Sequence, residues 1–75
     1  MIHYDLPKGG HVSLVIYDIL GRELMHLVNQ YQPAGRYNVL WDGNNAKGIS
    51  AVSGVYFFRI SSNDFFQTRK MVLSR

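Results

Sequence analysis

The sequence contains no cysteine, and its only prolines are Pro7 and Pro33. A chain of 75 residues therefore has no disulfide and no thiolate ligands to add to its stability. Its apolar runs fall far short of the roughly 20 residues that a membrane helix needs, so we expect no membrane insertion. The first residues also lack the basic and then apolar pattern of a signal peptide. These absences indicate one small domain with a modest core, or a piece of a longer protein.

Acidic residues are scarce as well. Eight Lys and Arg residues against five Asp and Glu residues give a net charge of +3 at neutral pH. Most of these charges are spread along the chain, but Arg69, Lys70 and Arg75 lie close together near its end. A nucleic-acid-binding domain usually carries a denser basic stripe, so we expect no nucleic-acid partner.

Residues 53–60 form the most apolar run, rich in aromatic and β-branched side chains and containing Gly54. This composition is typical of a buried strand. Alternation places Tyr56, Phe58 and Ile60 on one face and Arg59 on the other. Because a charged side chain favours the wetter face, we expect the first three to point into the core.

Alternating apolar and polar residues predict further strands over residues 2–6, 11–18, 36–42 and 65–73, with a short edge strand over 49–52. Residues 22–28 place Leu24, Leu27 and Val28 at helical spacing, but the segment is short and bounded by turns, so we predict a strand. Residues 18–21 fit a type I turn and 30–35 a loop. The side chains expected to face the core are Val12, Leu14, Ile16, Tyr37, Val39, Trp41, Met71 and Leu73.

Six or seven short strands and no helix predict an all-β fold, an immunoglobulin-like antiparallel β-sandwich. The last strand should lie at a sheet edge, where unpaired backbone groups can accept a partner strand. Arg69, Lys70 and Arg75 would steer an acidic partner toward it. The alternative is that these charges only protect the edge from aggregation, and the same edge also allows self-association.

A known family shares several of these segments in the same order: YDLP (4–7), VSLVIYDILGREL (12–24), AGRY (34–37), WDG (41–43), SGVYF (53–57) and KMVL (70–73). Together they resemble the type A C-terminal sorting domain of the type IX secretion system. The pattern overlaps that of the immunoglobulin-like domain of the flagellar hook-capping protein. The chain departs from the sorting family in one respect. That family usually has an Asn-Pro-rich segment about a dozen residues before the first strand, whereas Met1 here already lies inside the family pattern.

The resemblance implies that residues 1–75 are one sorting domain of a larger secreted protein, with a cargo domain and any export signal upstream. Such a domain directs its cargo from the periplasm across the outer membrane to the cell surface. The implied partners are the type IX translocon and a sortase-like peptidase that removes the domain. The residues to which the resemblance assigns partner recognition are Arg69, Lys70, Met71, Val72, Leu73 and Arg75.

Two other functions stay open. The chain is alternatively a structural or interaction module that is not cleaved and packs on a neighbouring domain, as in a hook cap. A third alternative is a carbohydrate-binding accessory domain of a secreted enzyme, in which exposed aromatic rings form a platform. The candidate rings are Tyr17, Tyr31, Phe57 and Phe66, which we expect instead to cover the second sheet face or to meet a neighbouring domain.

Other candidate chemistry is weak. Asp42, Asn44 and Asn45 offer oxygen ligands for Ca²⁺, but calcium takes six to eight ligands and only one carboxylate is present. We expect an Asx turn there, with Asn44 and Asn45 at positive φ. His3, His11 and His26 have irregular spacing and are expected at the surface. No serine lies in a nucleophile elbow and the carboxylates are scattered, so we predict no enzyme activity and no cofactor.

Overall fold

The computed structural model describes residues 1–63 and 65–74. Within those ranges no helix is long and apolar enough to cross a bilayer. The chain forms six strands: β1 (Ile2–Leu6), β2 (Gly10–Tyr17), β3 (Glu23–Gln32), β4 (Gly35–Val39), β5 (Gly54–Ser62) and β6 (Phe65–Leu73).

The strands form two antiparallel sheets. The larger sheet has four strands in the order β3-β2-β5-β6, and the smaller sheet pairs β1 with β4. Of the segment 22–28 with helical spacing, residues 23–28 belong to β3, so the prediction of a strand is confirmed and its start is one residue later. The predicted all-β sandwich is confirmed as well.

The core lies between the sheets and is built by alternation. In β1 the burial pattern is strictly buried and exposed in turn, which puts every second side chain inside. Val12, Leu14 and Ile16 of β2 are 0% exposed. The predicted inward side chains of β5, Tyr56, Phe58 and Ile60, are buried too. The rest of the buried apolar cluster is Ile2, Tyr4, Leu6 and Val28.

Aromatic rings connect the small sheet to the rest. The rings of Tyr4 and Tyr37 stack with centroids 5.2 Å apart, and the Tyr4 hydroxyl donates to the Gln32 side chain. Burial raises the pKa of the Tyr4 hydroxyl, although the hydrogen bond to Gln32 works the other way. Trp41 packs edge-on against Tyr56 at 5.3 Å. The Tyr4–Tyr37 stack lies within the small sheet, whereas the Tyr4–Gln32 bond and the Trp41–Tyr56 contact connect it to the large sheet.

A hydrogen bond four residues back along the chain fixes the entrance to β5. The Tyr56 hydroxyl donates to the Val52 carbonyl at 2.6 Å. Tyrosines that bond back to the backbone in this way mark the corners of immunoglobulin-like sandwiches. The sequence alone did not single out this role for Tyr56.

Most strand boundaries agree with the sequence prediction within two residues, but three segments differ more. The predicted loop at 30–35 begins later, because β3 continues to Gln32, where the side chain is buried and bonded to Tyr4. The predicted edge strand at 49–52 is wrong: the segment is a loop that holds only an isolated bridge between Asn44 and Ser50. The predicted strand at 36–42 is shorter, and Trp41 lies just beyond β4, half-buried against the core.

The β2–β3 connection is organised by Asp18, as the predicted turn requires. The Gly21 N–H donates to the Asp18 carbonyl at 3.0 Å. The Asp18 carboxylate accepts from the backbone N–H groups of Leu20 and Arg22, each at 2.9 Å, and from Arg22 Nε at 2.8 Å. The hydrogen bond from the backbone N–H of Arg22 is the main reason that the pKa of the Asp18 carboxyl lies below its ordinary value.

Truncation of a core side chain should destabilise the domain strongly. Leu14→Ala removes a side chain that is 0% exposed, and we expect a loss of about 2–5 kcal/mol in the free energy of unfolding. Leu20→Ala is the matched control, because Leu20 is 74% exposed in the β2–β3 turn and should change it by less than about 0.5 kcal/mol. Urea unfolding measures both; equal losses would contradict the described core.

The Asp18 turn should make stability depend on pH in the acid range. Because the folded pKa is lowered, the stabilisation from the ionised carboxylate is present above the unfolded value of 3.8 and is lost as pH falls through the folded pKa. Asp18→Asn should therefore be less stable than the natural chain at neutral pH, and the difference should shrink below pH 3.8.

The control for this prediction is Asp5→Asn, since Asp5 and its partner Arg36 are both exposed and 3.8 Å apart. An exposed pair of this kind contributes little to stability. Urea unfolding at several pH values tests both variants. A difference between Asp18→Asn and the natural chain that persists unchanged in acid would disprove the role of the carboxylate.

Candidate protein-binding edge

β6 is an edge strand, as the sequence predicted. It pairs with β5 and, in the part of the chain that the structure describes, with no other strand. The pairing has no register shift: Gly54 lies opposite Leu73 at one end, and Ser62 lies opposite Phe65 at the other. One row of β6 backbone N–H and C=O groups therefore faces away from the sheet and is available for pairing.

The opposite edge of the same sheet is built differently. β3 pairs with β2 through two register shifts, which twist and bend a strand. Its edge is also partly covered, because the Ala46 N–H in the loop between β4 and β5 donates to the Leu24 carbonyl at 3.0 Å. Of the two edges of the large sheet, β6 is thus the regular and uncovered one.

Cations line β6 and its neighbour. Arg69 lies opposite Phe58 on β5, and Lys70 lies opposite Phe57. On the outer face, the Arg59 guanidinium sits 4.7 Å from the centre of the Phe66 ring, a cation–π distance. Neither β5 nor β6 contains a carboxylate. Asp64, which joins them in the sequence, lies outside the described residues.

Gln67 orients the guanidinium of Arg69 on the inner face. With the Gln67 amide oxygen turned toward the guanidinium, it accepts from Arg69 Nη2 at 2.6 Å and from Nε at 3.0 Å. The two residues are two positions apart and share one face of the strand. Arg69 is therefore held in place by a neutral amide, and its positive charge is not neutralised by that contact.

The six residues to which the resemblance assigns recognition do not form one surface. Arg69 and Lys70 are exposed on opposite faces of β6, and Val72 is 71% exposed on the Lys70 face. Met71 and Leu73 are half-buried and pack against the core, as predicted. Arg75 lies outside the described residues.

The outward edge of β6 faces β1 across an open side of the sandwich, which we call the seam. Three clefts lie along it, and residues of β1 and β6, or of the turns that follow β1 and precede β6, line each of them. The first cleft, about 270 Å³, is bounded by Met1, Trp41 and Leu73. The middle cleft, about 550 Å³, is bounded by Asp5, Arg36 and Arg69, and the last, about 230 Å³, by Leu6, Ser62 and Phe65.

The seam changes character along its length. Its first cleft is lined by apolar side chains that include Ile2, Phe58 and Met71. The middle cleft carries charged side chains. The last cleft is bounded by the apolar Leu6, Pro7 and Phe65 and by the polar Lys8, Asn63 and Ser62. Ser62 is 4% exposed, and its hydroxyl has no hydrogen-bond partner among the described residues. A buried polar atom without a partner costs free energy.

Sequence reasoning did not find the seam, nor a second apolar feature. Ile19 and Leu20 in the β2–β3 turn lie with Ile49 and Val52 around a cleft of about 390 Å³, and all four are exposed. The available signal was the presence of two large apolar residues at the centre of a turn, where polar residues are usual. The seam had no local signal, because it joins the two ends of the sequence.

The candidate calcium loop uses its oxygens internally. Asp42 accepts from the Asn44 backbone N–H at 2.9 Å, and Asn45 accepts from those of Lys47 and Ile49, each at 2.9 Å. The expected Asx turn is therefore present. The expectation of positive φ at Asn44 and Asn45 is wrong, because Gly43 (83°) and Gly48 (78°) take these conformations.

The three histidines lie on three different strands. His3 contacts Asn38, and His26 contacts Glu23. His11 bonds to Asn29 at 2.7 Å. Among residues 1–63 and 65–74, no three His, Cys, Asp or Glu side chains come together as metal ligands would.

The four candidate aromatic rings are divided between two environments. Tyr17 and Phe57 are half-buried neighbours on the outer face of the large sheet, paired across β2 and β5. Tyr31 and Phe66 are exposed, but they lie on β3 and β6, the two opposite edges of that sheet. The four rings therefore do not form one continuous platform.

The two packed antiparallel sheets and the Tyr56 corner define an immunoglobulin-like β-sandwich. A family model, the FlgD Ig-like domain, matches residues 2–64. The chain therefore belongs to this family, and β6 follows the matched range. The comparisons with curated proteins and with solved structures gave no significant match.

Proposed function

We propose that this domain is a non-cleaved interaction module that works by binding another protein and does no chemistry itself. The observation that carries the proposal is β6, a nine-residue edge strand with regular pairing, no carboxylate and exposed cations. Such an edge offers main-chain hydrogen bonds to a partner, and the charges add steering and selectivity. Membership in the FlgD Ig-like domain family supports the module over the other functions considered.

A second candidate function is the sorting role that the resemblance implied. Its support is that Arg69 and Lys70, two of the residues assigned to recognition, are exposed on the edge strand. In that case the partners are a type IX translocon and a sortase-like peptidase, and the parent protein is at the cell surface. The mass of the mature parent protein separates the two functions: sorting with cleavage removes the domain, whereas the module is retained.

The module predicts that β6 is protected only in the assembled state. Amide hydrogens on the outward edge of β6 should exchange more slowly in the parent protein with its partners bound than in the 75-residue chain. The double variant R69E/K70E should reduce this protection, because charge reversal repels a partner selected by cations. Equal exchange of β6 in the two states would contradict the proposal.

The control for charge reversal is Lys47→Glu. Lys47 lies in the loop that covers the β3 edge, away from β6, so this variant changes the net charge without changing the proposed edge. It should leave the exchange of β6 unchanged. Circular dichroism of each variant checks that the sandwich is still folded.

The sorting function makes a different prediction. Deleting residues 71–75 removes the end of β6 together with Met71 and Leu73, and the cargo should then remain in the periplasm. Cell fractionation and surface labelling of the cargo measure this. Because the deletion also removes core contacts, R69E/K70E should be examined in parallel. Normal surface display of both variants would contradict a sorting role for β6.

A further inference from the structure

The shape of the seam restricts what kind of partner can bind there. β1 and β4 are five residues long, and β3 is bent by its register shifts. β6 is the one long and regular edge among the six strands that the structure describes. A partner that satisfies its backbone groups must itself be extended over about nine residues, because strand pairing is made residue by residue.

The side chains of β6 that face the seam give the partner a pattern. In order, they are Phe65, Gln67, Arg69, Met71 and Leu73. Residues directly opposite each other in paired strands point to the same face and contact each other. A partner strand would therefore place every second side chain in the seam, between the inner face of β6 and the edge of β1.

The side chains that line each cleft determine which side chains of a partner strand fit there. Near Met71 and Leu73, the cleft is lined by Ile2, Trp41 and Phe58, so apolar side chains fit. In the middle cleft, the Arg69 guanidinium is bonded, among the described residues, only to the neutral Gln67 amide, and Arg36 lines the same cleft. The Asp5 carboxylate is also there, 3.8 Å from Arg36, and partly offsets that second cation. Arg69 is thus the cation that a partner carboxylate would pair with.

We propose that the seam binds an extended acidic polypeptide segment, which adds to β6 as a fifth strand of the large sheet. Its alternate side chains are apolar at both ends and carry one carboxylate facing Arg69. The proposal deepens the proposed function, on which it rests, by stating the chemistry of the partner.

A second copy of this chain fits the edge poorly. Arg69 is the midpoint of Phe65–Leu73, so an antiparallel pair of β6 strands in full register places Arg69 directly opposite its own copy. Like charges in directly opposite positions destabilise strand pairs. The partner that complements the charge of this edge is acidic, whereas the chain itself carries a net charge of +3.

Titration of the ¹⁵N-labelled 75-residue chain with synthetic peptides tests the proposal. The first probe is a nine-residue capped peptide with valine and leucine at alternate positions, one central glutamate in that series, and threonine between them. One control peptide has the same composition in a scrambled order that removes the alternation. Another replaces the glutamate with lysine.

The alternating acidic peptide should shift amide resonances along β6 and β1, and it should slow exchange at the β6 edge. The scrambled and lysine peptides should bind at least about tenfold more weakly. Arg69→Glu should weaken the acidic peptide about tenfold or more and restore binding of the lysine peptide, whereas Lys47→Glu should do neither. Restoration by charge exchange distinguishes a direct contact from loss of folding.

Equal binding of the three peptides, or shifts confined to Ile19, Leu20 and Ile49 around the other apolar cleft, would overturn the proposal. Self-association through β6 in preference to the acidic peptide would overturn it as well. The proposed function would survive these outcomes if β6 were still protected in the assembled parent protein. Absence of that protection, with the peptide still bound by the isolated chain, would instead contradict the proposed function alone.

Discussion

The unequal width of the two sheets is the constraint on which the rest of this structure depends. Two strands cannot cover the inner face of four, so burial is complete at the centre and incomplete at the sides. Leu14 on β2 and Ile60 on β5 are almost fully buried, whereas Met71 and Leu73 on β6 are only half-buried. The seam is the direct result of this mismatch, and it leaves the most regular edge strand uncovered.

This arrangement gives β6 two roles, one in the core and one at the surface. The inner face of β6 contributes to the core through Met71 and Leu73, while its outer face carries Lys70 and Val72. A small all-β domain without disulfides has little stability to spare, so its edge strand cannot be purely polar. The cations between the apolar positions make the strand soluble and give it selectivity at the same time. The family match ends before β6, which places the proposed specificity in the part of the chain that the family model does not cover.

Alternation in the sequence was enough to predict the strands and their inward faces, because burial of one face imposes a period of two. It could not predict the end of β3. Residues 30–32 include two glutamines and precede Pro33, yet they pair with β2. Tyr4, distant in the sequence, also bonds to Gln32. Ile49 and Val52 have strand-like side chains but lie in a loop, since the Asn45 amide captures the backbone N–H of Ile49.

The cations of the candidate site could also be identified from the sequence, since Arg69 and Lys70 are adjacent in an alternating segment. The cleft beside them could not, because β1 and β6 are at opposite ends of the chain and meet only through the fold. The contribution of Gln67 likewise depends on a side-chain contact that composition does not indicate.

The first cleft of the seam is bounded both by Met1 and by Leu73. Entry to the domain and exit from it are therefore neighbours on one side of the molecule. A sandwich with this geometry can be inserted into a surface loop of a host protein through two short linkers. It would then extend outward from the surface of the host. The opposite pole, with the β1–β2, β3–β4 and β5–β6 connections, would point away from the attachment.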